Sequence, residues 1–198
     1  LETIQCMVER RSGGESGVEW LQAYRGDKFW EAHQQGVWSM ELFESALSRS
    51  HTIKPARAGF NNVFPTLCEL KDIVKDPMAY HYQHVDGLKC RMIMMNGLVD
   101  DFNFAAKLEG ESGVLSTQMY LPMPPARTTL ANFFTPQVNN IEKMFLSGEP
   151  TYPVERTLLT SGLVIAGVES LDQDQSRQET QNLTISYQPT PESTFWRT

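Results

Sequence analysis

The apolar positions of this chain change period several times, and each change marks an element. Over residues 2–11, Ile4, Met7 and Val8 fall at helical spacing, and Ser12-Gly13-Gly14 ends the pattern with residues that tolerate positive φ. Over residues 18–24 the period drops to two: Val18, Trp20, Gln22 and Tyr24 alternate against Glu19, Leu21 and Ala23, which predicts a strand with at least one buried face. Arg25-Gly26-Asp27 predicts a turn, with Asp27 capping a short helix that carries Phe29, Trp30 and His33. Ser39 caps a second helix through Leu42, Phe43, Ala46 and Leu47. These two helices, within residues 26–50, read as a compact aromatic insertion. Residues 51–77 lose periodicity at Pro55, Gly59, Asn61-Asn62 and Pro65, an irregular connection with one helical turn over 66–74.

The strongest local signal follows. Residues 78–85 and 88–95 are strand-like runs joined by Asp86-Gly87, whose composition suits a two-residue type I′ turn. That register places Tyr82 opposite Arg91, His84 opposite Lys89, His81 opposite Met92 and Gln83 opposite Cys90. Alternation over 102–108 and 114–121 continues the meander, giving four antiparallel strands in a row. Thr135-Pro136 opens a helix that Gly148 ends. Pro153 and Glu155 open a longer one through Val168, whose nearly continuous apolar residues predict burial against the sheet. After a polar turn over 172–178, residues 183–187 read as a last strand, and 189–198 form a tail without an element. The expected architecture is one α+β domain over residues 1–198: an open antiparallel β-sheet with helices packed on one face.

Composition narrows the function classes. A chain of 198 residues, 40% hydrophobic and 21% charged, can bury a core without staples and is neither disordered nor fibrous. The net charge of -7, with 17 scattered basic residues, argues against a nucleic-acid surface, which needs clustered Lys and Arg. No apolar run approaches the ~20 residues that span a bilayer, so no membrane partner is expected. Cys6, Cys68 and Cys90 are odd in number, widely spaced and without a C-x-x-C or a nearby His pattern. They favour neither zinc nor a disulfide framework, but a reducing compartment, the cytoplasm. The helical pattern starts at Leu1 with no cap before it, which reads as a piece of a longer protein.

Few residues carry recognisable chemistry. The glycines within residues 12–17 lack G-x-G-x-x-G and the P-loop lysine, so they read as a connection. Ser161-Gly162 lacks the nucleophile elbow of hydrolases. His81 and His84, three apart on a strand, point to opposite faces and cannot share a metal ion. Asp100-Asp101 sits where a turn favours local backbone bonding. Trp30, Trp38 and Phe29 have the chemistry to stack on a sugar, although their helical spacing favours a core. Tyr82 opposite Arg91 reads as a cation–π pair, or as part of a binding surface on an open sheet face.

The last third resembles a known family. Asn139-Asn140-Ile141-Glu142 in a helix, then Gly148-Glu149-Pro150-Thr151-Tyr152-Pro153-Val154-Glu155-Arg156, a long apolar helix ending at Glu169-Ser170, a polar turn and a final strand form an order similar to the close of the Gfo/Idh/MocA oxidoreductases. The resemblance covers residues 78–188 and is architectural. It implies that this chain is the C-terminal, substrate-facing and oligomerising domain of an enzyme whose Rossmann domain, absent here, binds NAD or NADP. In that family hydride passes between the nicotinamide and a sugar-like or polyol substrate. The resemblance also implies homo-oligomerisation through the open sheet face. Tyr82, Arg91, His81 and Tyr120 would then orient substrate, and Glu2 alone stands where the acidic member of the family's H-x-x-D-like pair would lie. The chain has no E-K-P, and the helices of residues 26–49 depart from the family pattern. The competing expectation is a non-catalytic module that dimerises, or binds carbohydrate through Trp30, Trp38 and the tyrosines.

Overall fold

A computed structural model describes residues 1–54, 64–119 and 134–191, and all structural statements concern those residues. In chain order the elements are α1 (Glu2–Val8), β1 (Val18–Arg25), α2 (Asp27–Gln34), α3 (Met40–Leu47), α4 (Leu67–Ile73), β2 (Met78–His84), β3 (Lys89–Met94), β4 (Phe102–Lys107), β5 (Val114–Met119), α5 (Thr135–Ser147), α6 (Val154–Asp172) and β6 (Gln178–Glu179). A 3-10 turn, Gln181–Leu183, follows β6. The fold is α+β with open antiparallel sheets: one of order β3-β2-β1-β6, and a separate hairpin β4-β5.

The expected four-strand meander therefore breaks after β3. The chain leaves the sheet there because Met95 and Leu98 are drawn into a core beside α3 and α4, and Gly97 at φ 96° makes the turn. The last strand also differs. Only Gln178–Glu179 pairs with β1, and Tyr187 makes a single bridge to Glu15. Thr180 anchors this departure by donating its hydroxyl to the Val18 carbonyl at 2.8 Å, and Leu183 then turns into the core.

Two cores lie on the two faces of the larger sheet. On one, Leu21 and Ala23 of β1 stand opposite Tyr82 and Tyr80 of β2, and α6 packs across them with Leu159, Leu163 and Ala166. The approach is close: a Cβ on Gly167 would fall 2.3 Å from the Tyr80 ring. Ser170 ties the end of α6 to the sheet, accepting from the Ala23 amide at 2.9 Å and donating to the Ser176 carbonyl at 2.6 Å. On the other face, Phe29, Trp30, Trp38, Leu47 and Leu70 gather over Ala79, with Tyr24 and Ile93 against them. The helices of residues 26–50 thus cover one end of the second face, which the sequence pattern had left free.

Helix α6 lies against the sheet as its apolar run predicts, but only along one side. A helix laid on one sheet buries one stripe, and a second apolar stripe of α6 faces outward. Helix α5 begins at Thr135-Pro136, stops at Gly148 in the left-handed region (φ 72°), and buries no side chain.

Candidate functional site

The β2–β3 turn decides where the predicted site residues go. It contains three residues rather than two: the Gly87 amide donates to the His84 carbonyl at 2.9 Å, the His84 amide to the Leu88 carbonyl at 2.8 Å, and Gly87 takes φ 88°. The extra residue shifts the expected register by one. His81 now faces Arg91, Tyr82 faces Cys90 and Gln83 faces Lys89. Since neighbours along a strand point to opposite sides, Tyr82 and Arg91 are separated by the sheet and the expected cation–π pair does not form.

His81 and Arg91 lie on the second face. The His81 ring meets Trp20 edge-on, centroids 4.8 Å apart, and the Arg177 guanidinium sits 4.3 Å above the Trp20 ring. Arg91 donates Nε to the Val37 carbonyl at 2.7 Å and so fastens the α2–α3 connection to β3. Burial, followed by the nearby charges of Arg91, Lys89 and Arg177, lowers His81 to about 4, so it is neutral at pH 7. Arg91 is likewise lowered by burial.

The other predicted residues do not join them. Tyr82 is fully buried under α6, where burial raises its hydroxyl well above the ordinary range. Beside it the buried Cys90 thiol is pushed up to about 12, which removes it as a nucleophile. Glu2, exposed at the start of α1, pairs with Arg156 of α6. Tyr120 lies outside the described residues. Trp38 donates Nε1 to the Phe29 carbonyl at 3.1 Å and stacks on Phe29 and His33, so its ring is committed to the second core.

Another group of polar side chains converges without any sequence signal. Glu15, buried in the α1–β1 connection, accepts from its neighbours' amides at Ser16 (2.9 Å) and Gly17 (2.8 Å), and from Gln5 Nε2 at 2.7 Å. Arg11 approaches both of its oxygens at 3.3 Å, and His84 Nδ1 lies 2.8 Å from Oε1. Burial alone would raise this carboxyl, but the bonds from His84, Arg11 and Gln5 outweigh it and hold Glu15 at about 2. Gln5 continues to the Tyr187 hydroxyl, which donates to Glu9, and Glu9 accepts from Arg156 at 3.0 Å. The cluster joins α1, the α1–β1 connection, β2 and α6. The bonds pair the buried Glu15 and Glu9 carboxylates with donors from the segments that meet there.

A concavity of about 450 Å³ lies between α2 and α4, with Asp27, Trp30, Glu31, Lys71 and Lys75 in its wall. It contains Trp30 of the carbohydrate-binding expectation, but none of Glu2, His81, Tyr82 and Arg91. Lys71 lies 5.5 Å from the Trp30 centroid there, a cation–π contact. Among the described residues no group of three or more His, Cys, Asp or Glu could hold a metal ion, and no helix is long and apolar enough to cross a membrane.

These features define an α+β domain whose predicted site residues are largely taken up by internal contacts, and whose two C-terminal helices carry exposed apolar side chains. Compared with protein-family models, with curated proteins and with solved structures, the chain matches none.

Proposed function

We propose that this chain is a non-catalytic assembly domain that joins copies of itself through the outward faces of its last two long helices. One observation carries the reading. Val154, Leu158, Ile165 and Val168 of α6 are 71%, 58%, 59% and 55% exposed, and with Ser161 they recur at steps of four, three, four and three residues. That is the seam spacing by which one helix packs along another. The opposite stripe already holds α6 on the sheet, and packing among the described residues leaves the outer one exposed.

The extent suits a second copy. Five apolar side chains on α5 and five on α6 are exposed. At roughly 50 Å² each they supply on the order of 500 Å², the apolar share of the ~800 Å² that one partner gives to a standard interface. Sedimentation velocity of the chain over a wide concentration range tests this. Self-association that Leu158→Glu and Ile165→Glu both abolish, with unchanged circular dichroism, is the expected result. A chain that stays at monomer mass at every concentration, with either substitution silent, overturns the reading.

A second reading follows the oxidoreductase resemblance and is favoured by one feature: α6 lies on the back of an antiparallel sheet, after α5 and a short loop, in the order the resemblance requires. In this reading the domain belongs to a cytoplasmic NAD- or NADP-dependent enzyme acting on a sugar or polyol, with the cofactor held by polypeptide outside this chain. Titration with NAD(P)H by fluorescence tests it, because tight saturable binding by this chain alone contradicts a cofactor site elsewhere.

A further inference from the structure

We infer that, in the self-associated protein, α5 of one copy seats on the outward stripe of α6 in the other, and reciprocally, so that a twofold pair closes by mutual docking of helices. The inference rests on the assembly reading above and names the segment that fills its seam.

Helix α5 needs a partner. It is 13 residues long with none of its side chains buried, and a helix of that length is marginal in water by itself. No acidic residue in its first turn and no basic residue in its last compensates through the helix dipole. Yet it carries an apolar stripe of the same period as α6. Val138, Ile141 and Phe145 recur at steps of three and four, and Phe145 is 78% exposed. Contact between α5 and the rest of its own copy is marginal among the described residues. Two helices of one chain thus present matching stripes that they do not use on each other.

The connection restricts where α5 can go. Between Gly148 and Val154, Pro150 and Pro153 fix two backbone angles, and Pro153 is extended (φ -59°, ψ 130°). So short a link holds α5 near the N-terminal end of α6, where Val154 and Leu158 begin the outward stripe. A twofold axis beside that end satisfies both stripes in both copies. Such an isologous closure leaves neither stripe exposed.

Two single variants test the exchange. Phe145→Lys spoils α5 and leaves α6 intact, and Ile165→Glu does the reverse. Each homodimer then has two damaged seats, whereas an equimolar mixture can form a pair with one native seat, whatever the register. Each variant alone should weaken association on the order of 100-fold, and mixing should recover a heterodimer by sedimentation or native mass spectrometry. In hydrogen exchange, the α5 amides should be protected at dimeric concentrations and lose protection on dilution, while β1 and β2 stay protected.

If Phe145→Lys associates like the wild type, or mixing recovers nothing, the exchange is wrong. In that case loss of association in Ile165→Glu leaves the assembly reading standing. A wild type that never associates removes both.

Discussion

At the scale of single residues, the sheet interior commits side chains that their types alone would offer to chemistry. His81 is lowered from 6.5 to about 4, so between those values the unfolded chain takes a proton that the folded chain refuses. Stability should therefore fall as pH drops from 6.5 towards 4, and His81→Gln should flatten that slope in urea midpoints measured against pH. Glu15 behaves as a carboxyl held low, at about 2 against an ordinary 4.5. Its contribution is present above 4.5 and is lost as pH falls towards 2. Glu15→Gln, which leaves Arg11 and His84 without their carboxylate, should cost about 3 kcal/mol in chemical denaturation at pH 7. Arg11 stands only four residues before Glu15, but His84 is 69 residues away, so the sequence does not announce the whole cluster.

At the scale of elements, most of what the sequence shows is local punctuation. The α5 helix starts at Thr135-Pro136 and stops at Gly148, and Ser39 caps α3 by accepting from the Leu42 amide, because each of these signals acts within a few residues. The β2–β3 turn was legible as a turn but not in its length, and one residue moved Tyr82 and Arg91 to opposite faces. Gly167 was not singled out, since only the approach of α6 to Tyr80 gives it meaning. Gly167→Ala should force the buried Tyr80 ring aside and lower stability by about 1–3 kcal/mol, read as a drop in thermal midpoint. Gly87→Ala should cost less, because no atom lies within 4 Å of the added carbon and only the backbone at φ 88° resists it.

At the scale of the whole molecule, the exposed stripes on α5 and α6 link fold to function. Association stabilises a folded state by mass action, so the thermal midpoint of the wild type should rise with protein concentration. Ile165→Glu should make the midpoint independent of concentration. The open sheet face, the first expectation for a docking surface, is partly roofed by the second core around Phe29, Trp30 and Trp38.

What the sequence determined by itself was the α+β class and the existence of nearly every element, since helical and strand periods and their turn residues are properties of neighbouring positions. It left open which apolar stripe of α6 meets the sheet and that Glu15 gathers Gln5, Arg11 and His84, and its single meander wrongly joined β4 and β5 to the other strands. Those outcomes depend on contacts between residues far apart in the chain, and only tertiary packing decides which apolar surface is buried and which is left for a partner.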